Sequence, residues 1–397
     1  MKEDGEPGAS GLRHPIAVQI LPCCRQKFVN FCLIVLLWGE FSGLGVPMSA
    51  VLKTSLDVLY YSGASQALNS VLSGMGAIFM LHHVRPNGVA RHGFAPNAGL
   101  EIAPHFLDAV LQHVVAKGYD LVSLDEAALR VKGETPSGRP FAVFTLDDGY
   151  EDNFVHAWPI FRRYGCPFTI FVTPAIIEGT CELWWRGLEA VIAGAPQIRG
   201  ILEGSGFEFD TLSDAAKQAA FKRLYWQIRA LPEHRQREWI RRFCADHGVD
   251  LDAQCRSAAM TWDELRQIAA DPLCTIGAHT MNHYAMARLP EEEALSEVVT
   301  ARGRLAEELG RAPDLFAYPY GDPGSAGPRD FDLIREAGFS AAVTTRKGLI
   351  FSAHKHHLTA LPRLSLSGAY QKLRYVDVLL SGSAVALWNG FRRVTLS

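Results

Sequence analysis

The sequence predicts an α/β fold built on a parallel sheet, and three observations point to it. Short apolar and β-branched runs recur from Ala77 onward, amphipathic helical stretches separate them, and the residues with chemistry to offer sit directly after several of the runs. Strands that read as apolar throughout are covered on both faces, as parallel strands are. Strand–helix alternation implies crossover connections, seven or so strands suit a barrel, and chemistry is then expected at the C-terminal strand ends. With 397 residues, 48% hydrophobic and 20% charged, the chain has globular composition and room for one large domain or two ordinary ones. A formal net charge of −3 offers no basic surface for nucleic acid.

Taken in order, residues 1–47 come first. Arg25 and Lys27 precede an apolar run at 28–38, which has the length of a signal-peptide core and is short for a membrane span. The stretch before it is long and carries acids and prolines, and no small-x-small cleavage site follows. Met48 then opens a segment that reads as a protein start, so 1–47 is expected to be an N-terminal extension from an over-extended translation start. The alternative is an uncleaved signal or anchor. The first reading puts the protein in the cytoplasm; the second makes it inner-membrane anchored or exported, with membrane association only through this extension.

A helix is expected over 48–76, then strands over 77–82, 141–146, 168–173, 274–278, 315–318, 341–344 and 361–366. Helical patterns lie between them at 104–117, 291–309 and 329–337, the last ending at Gly338, a suitable C-cap. Residues 181–260 break the rhythm, with helical patterns, many arginines and lysines, the aromatics Trp184, Trp185, Tyr225, Trp226 and Trp239, and no convincing strand. They are expected to form a helical insertion, either a wall of the substrate groove or a solvated appendage. The barrel thus divides into 77–180 and 261–397, the latter ending in a C-terminal helix. The eight cysteines, Cys23, Cys24, Cys32, Cys166, Cys181, Cys244, Cys255 and Cys274, form no CxxC pair and read as reduced thiols.

The chemistry gathers in three places. Thr145-Leu146-Asp147-Asp148-Gly149-Tyr150 follows an expected strand, and adjacent carboxylates are costly together unless a cation or a proton relieves them. Neighbouring strand side chains point opposite ways, so a turn at Gly149 must help both acids face one site. One acid can then bind a metal while the other acts as a base. His279 and His283, in Ile276-Gly277-Ala278-His279-Thr280-Met281-Asn282-His283, are spaced i, i+4, which on a helical turn puts both imidazoles on one face. Two histidines and one carboxylate suit Zn²⁺ or another divalent metal such as Co²⁺. Phe316-Ala317-Tyr318-Pro319-Tyr320-Gly321 is a turn able to present a backbone N–H to an oxyanion.

Together these motifs resemble the NodB-homology domain of polysaccharide deacetylases (carbohydrate esterase family 4), which shows TFDDG, then H-x-x-x-H, then R-x-P-[YF]-G. The resemblance runs from about Ala77 to Leu366. It includes Met80-Leu81-His82-His83-Val84, like the family's early M-Y-H-R-V strand, and Met260-Thr261-Trp262-Asp263-Glu264-Leu265. It implies a distorted (β/α)7 barrel with a helical insertion. It also implies that Asp147 is the catalytic base, that Asp148, His279 and His283 are the metal ligands, and that the Tyr320 N–H holds the oxyanion. The implied reaction is metal-dependent release of acetate from an N-acetylated carbohydrate. Two departures stand out. Ala317 occupies the place of the family's arginine, and Arg363, at the end of a late strand, is expected to supply that guanidinium. The family's late Leu-x-x-His, which bears the general acid, is not evident, leaving His82, His83, His356 and His357 as substitutes. A nodulation-type chitooligosaccharide deacetylase, a catalytically weak carbohydrate-binding homologue and a cyclic-amide hydrolase are the alternatives.

Overall fold

The computed structural model describes residues 48–86, 93–135 and 138–396. The extension expected at 1–47, with Cys23, Cys24 and Cys32, lies outside the described residues. In chain order the strands are β1 (Gly76–Leu81), β2 (His83–Val84), β3 (Glu101–Ile102), β4 (Asp120–Leu121), β5 (Phe141–Asp148), β6 (Phe168–Val172), β7 (Gln197–Leu202), β8 (Ser205–Asp210), β9 (Cys274–Ala278), β10 (Leu315–Ala317), β11 (Ala341–Lys347) and β12 (Leu361–Ser365).

Seven of them form a closed parallel ring. The order is β1-β12-β11-β10-β9-β6-β5, and β1 pairs with β5 from Gly76↔Phe141 to Leu81↔Leu146, which shuts the barrel. The short β4 pairs with the start of β5. All seven strand positions agree with the sequence reading to within a few residues, and β1, β5 and β6 are buried along their whole length. Alternation sorts their side chains. Ala77, Phe79, Leu81, Ala142, Phe144 and Leu146 pack with residues of the surrounding helices, among them Phe106, Val298 and Ile334. The residues between them, Ile78, Phe141, Val143, Phe171, Ala317, Val343 and Leu361, form a separate cluster inside the ring. By the same parity Asp147 on β5 and Arg363 on β12 point inward.

Three expectations about local structure need correction. The helix expected over 48–76 is two helices, Met48–Tyr61 and Ala64–Leu72, divided at Gly63 (φ 70°). The C-terminal helix is likewise two, Leu373–Leu380 and Ser383–Trp388, divided at Gly382 (φ 76°). The insertion is not purely helical, because β7 and β8 form an antiparallel hairpin between the helices Trp184–Gly194 and Asp214–Arg229. Its two-residue turn is Glu203-Gly204, both at positive φ (51° and 75°), the geometry that matches strand twist. Glu-Gly is a weaker turn signal than Asn-Gly, but the alternation Gly206-Phe207-Glu208-Phe209 was there to be read.

The insertion also contains the helices Glu233–Asp246 and Leu251–Arg256, and it has its own apolar core around Trp184, Leu188, Leu224, Ile228, Ile240 and Phe243. Tyr150 and Ala175 of the barrel belong to that same core, so the insertion is packed onto the barrel and is not a solvated appendage. Among the described residues no helix is long and apolar enough to cross a membrane. The five described cysteines are buried and free.

Candidate metal and catalytic site

At the C-terminal end of β5 the chain leaves regular strand geometry. Asp147 keeps the inward direction of Val143 and Thr145. Asp148 would point outward, but its φ of 81°, followed by Gly149 at 86°, swings its carboxylate round. The sequence pattern placed this turn at Gly149 alone; Asp148 itself adopts the left-handed conformation. A Cβ on Gly149 would also press on Ile177 at 3.1 Å.

Asp147 sits in a complete set of partners. Arg363 donates from Nη1 to Oδ1 and from Nη2 to Oδ2, both at 2.7 Å. The same guanidinium donates to the Thr145 hydroxyl at 3.0 Å and, through Nε, to the Thr344 carbonyl at 2.9 Å. Burial alone raises the Asp147 pKa, but the charge and paired hydrogen bonds of Arg363 hold the carboxyl below the usual range. The guanidinium that the chain lacks at Ala317 is therefore at hand from β12. His82 lies beside this pair, its Nε2 3.9 Å from Asp147 Oδ2. Burial pushes its imidazole pKa down.

Asp148 faces the two histidines, with Oδ1 3.4 Å from His279 Nε2 and 3.2 Å from His283 Nε2. One ligand atom from each of the three residues lies within 4.8 Å of the others, and all three side chains are buried. The histidines do not share a helical turn as their spacing suggested. Residues 279–285 are irregular, and the imidazoles converge because Thr280 (φ 56°) and His283 (φ 59°) are left-handed. His279 Nδ1 is 2.7 Å from the Ala317 carbonyl, which fixes that nitrogen as donor and leaves Nε2 free. Burial lowers the His283 pKa to about 4, so its imidazole is neutral.

This donor set fits a divalent cation. Asp148 Oδ1 is buried and has no hydrogen-bond partner among the described residues, a costly arrangement for a carboxylate unless a cation answers it. Neutral imidazole nitrogens and one ionised carboxylate are the chemistry Zn²⁺ takes in open catalytic sites.

Tyr320 closes the third side at a φ of 60°. No acceptor among the described residues takes its backbone N–H. Its hydroxyl accepts from Trp184 Nε1 at 2.7 Å, and the Arg229 guanidinium lies 3.9 Å above its ring. Gly321 follows at φ 59°, where a Cβ would meet the Thr345 nitrogen at 2.6 Å. Thus Asp148, Thr280, His283 and Tyr320, four of the six non-glycine residues at positive φ among the described residues, lie at this site. Each costs about 1–3 kcal/mol and persists because its surroundings impose it.

Of the other histidines considered from sequence, His83 donates from Nδ1 to Asp152 Oδ2 at 2.7 Å and stacks on Tyr150, with ring centroids 3.8 Å apart. His356, the last residue of the short helical turn Ser352–His356, is exposed, and His357 after it is half-buried. Sequence reasoning missed the contributions of Arg229, Glu233, Arg237 and Glu297, which touch the site's loops. Glu and Arg four residues apart on a helix read as an ordinary surface pair, so no signal set them apart.

Comparison with known proteins bears on the later two motifs. A family model described as polysaccharide deacetylase matches residues 234–341, a segment that carries His279, His283 and Tyr320. The resemblance to that family is thereby shown for this part of the chain. The Bacillus subtilis (strain 168) protein named "Putative polysaccharide deacetylase YxkH" is 27% identical over 81 residues, 20% of this chain and 29% of that protein. The chain thus aligns with less than a third of that relative's length. Three solved structures are similar in outline. The deacetylase PplD of Streptococcus pyogenes has 16% identity and a TM-score of 0.48, over 74% of this chain and 92% of that one. IcaB from Ammonifex degensii has 18% identity and a TM-score of 0.48, over 78% and 97%. A de-N-acetylase from Aggregatibacter actinomycetemcomitans has 12% identity and a TM-score of 0.48, over 76% and 98%.

Proposed function

We propose that this chain is a metal-dependent hydrolase that removes the acetyl group from an N-acetylated sugar of a polysaccharide, oligosaccharide or glycolipid. The observation that carries the reading is the pairing of two unlike carboxylates: Asp147 locked by Arg363, and Asp148 facing His279 and His283. Asp148, His279 and His283 would hold a divalent cation, Zn²⁺ or Co²⁺ suiting the donors, and it would supply Lewis acidity to the acetamide carbonyl and to the attacking water.

The chain's own groups do the rest. Asp147, kept ionised by Arg363, accepts a proton from the attacking water. The Tyr320 N–H donates to the oxygen that gains charge as the carbonyl becomes tetrahedral. His82, 3.9 Å from Asp147, is placed to relay a proton to the leaving nitrogen as the C–N bond breaks. Burial lowers its pKa, so the ring rests neutral and readily gives up a proton handed on from Asp147. Acetate and a free amine result. Trp185, 5.2 Å from the His283 ring and 6.2 Å from that of Tyr320 between centroids, supports reading the insertion as a wall of the substrate groove.

The test is acetate release from chitin oligomers, bacterial polysaccharides and N-acetylated glycolipids. Chelation should abolish it, and Zn²⁺ or Co²⁺ should restore it. Full activity in a metal-free preparation would remove the metal from the reading. Metal retained with no acetate from any glycan would point instead to a carbohydrate-binding barrel.

A further inference from the structure

We infer that Arg237, together with Glu233, is a positioning residue for the ligand His283. A buried ion pair supplied by the insertion holds the strained ligand loop where it can close on a divalent cation. This rests on the metal reading above.

The two metal-facing imidazoles are secured differently. His279 has its Nδ1 tied to the Ala317 carbonyl at 2.7 Å. His283 Nδ1 is buried and has no partner among the described residues. Orientation of a ligating imidazole usually comes from that second nitrogen. For His283 it must come from ring packing against Trp185 and Tyr320 and from its backbone, which is left-handed and outside any helix or strand.

The backbone of this loop is pinned from two sides. On the barrel side, Glu297 accepts from the Asn282 N–H at 2.8 Å and from Asn282 Nδ2 at 2.6 Å. On the insertion side, Arg237 Nη2 donates to the His283 carbonyl at 3.1 Å. Its Nη1 donates to the Glu182 carbonyl, and its guanidinium lies 5.0 Å from the centre of the Tyr284 ring. Glu233 Oε1 accepts from the Ala285 N–H at 3.0 Å, and its Oε2 is 3.4 Å from Arg237 Nη2. Three consecutive residues, 283 to 285, are therefore each touched by one pair on the helix Glu233–Asp246.

Both side chains of the pair are 0% exposed. Apolar groups of similar volume fill such space without the desolvation penalty of two charges. What they cannot do is bond the backbone of a loop that has no hydrogen-bonding ladder of its own. Direction and burial together make the pair a clamp on the His283 backbone.

The experiment is Zn²⁺ affinity, by competition with a chelator, of the parent, Arg237→Lys and Glu233→Asp, with the melting temperature of each metal-free protein measured alongside. Lysine keeps the charge but cannot bond the Glu182 and His283 carbonyls together as the guanidinium does, and aspartate withdraws the acceptor from Ala285. Each variant should bind Zn²⁺ about 10–100-fold more weakly, the usual effect of losing an outer-shell partner. The visible bands of the Co²⁺ form should shift as well. A merely structural pair would lower the melting temperature while leaving the folded fraction with parental affinity and an unchanged Co²⁺ spectrum, and that result overturns the clamp. If Arg237→Lys does not fold, Glu233→Asp decides by the same two readings. A parent that binds no Zn²⁺ removes the metal reading and this one with it; a parent that binds while folded variants bind equally removes the clamp alone.

Discussion

The two carboxylates at the end of β5 are neighbours in sequence and opposites in construction. Asp147 continues the pleat of its strand, and both its oxygens are answered by one guanidinium at 2.7 Å. Asp148 departs from the pleat at φ 81°, and its Oδ1 has no hydrogen-bond partner among the described residues. The surroundings differ in the same sense. Around Asp147 the backbone is regular and the guanidinium is held by Thr145 and Thr344. Around Asp148 the histidine loop is irregular, twice left-handed, and held from outside by Glu297 and Arg237. A carboxylate that must be ionised when the water attacks is best fixed by a protein partner. A charge that must meet a cation is best left with its lone pairs free and its neighbours neutral. The contrast predicts which substitution breaks which property.

The largest expected effects come from exchanging each acid for its amide. Asp147→Asn keeps size but cannot accept the water proton, so activity should fall by roughly 10²–10⁴-fold while metal stoichiometry stays parental. Asp148→Asn offers a neutral amide oxygen to the cation, so metal should be lost first and activity partly regained in excess Zn²⁺. Bound metal and acetate release, measured on both, separate the halves. If Asp147→Asn loses the metal and Asp148→Asn keeps it, the assignment is reversed.

Next in size is the partner of the base. Arg363→Met leaves Asp147 buried without its countercharge, which should cost about 3–5 kcal/mol at neutral pH, measured by urea unfolding. The sign of the pH effect follows from the causes of the shift. Burial raises the Asp147 pKa and Arg363 lowers it, so without Arg363 the carboxyl protonates at higher pH. The acid limb of the rate profile should therefore move up, with activity suffering more at pH 5 than at pH 8. A limb that stays in place would show that Arg363 orients the base without tuning it.

How much of this contrast the sequence announced depends on which half is considered. The base half was legible. Apolar runs marked β5 and β12, the motif singled out Asp147, and the lack of arginine at Ala317 drew attention to Arg363. The ligand half was legible only as a list of ligands. His279 and His283 were identified, but the i, i+4 spacing suggested a helical turn, and threonine and histidine carry no mark of left-handed backbone as glycine does. Their conformation is imposed by Glu297, Glu233 and Arg237, which lie 14 or more residues away in the chain, as Glu297 from His283, and such contacts leave no local pattern. The hairpin β7–β8 escaped for a different reason: its turn is Glu-Gly, and only β8 alternates cleanly between polar and aromatic residues.

The smallest predicted effect separates the halves by pH in the metal-free protein. His283 is buried and its pKa is lowered to about 4, whereas in the unfolded chain an ordinary histidine takes up its proton near 6.5. Between those values the unfolded state binds the proton and the folded state refuses it, so stability falls as pH falls through that window. The slope from one such group is at most about 1.4 kcal/mol per pH unit. The two aspartates behave differently, since their folded pKa values lie below the ordinary carboxylate range. Their contributions are present above about pH 3.9 and are lost only as pH falls below it. His82 and His354 are also lowered by burial and add to the upper window, so a single profile does not isolate His283. The difference between parent and His283→Asn does. Urea midpoints at pH 7, 6 and 5 should fall more steeply for the chelated parent than for the variant. Saturating Zn²⁺ should add stability to the parent at pH 7 and less at pH 5, because protons and metal compete for the same nitrogen. Parallel profiles for parent and variant would mean that the folded protein accepts the proton on His283 as readily as the unfolded chain does, and the ligand half would lose the neutral imidazole on which its contrast with the base half depends.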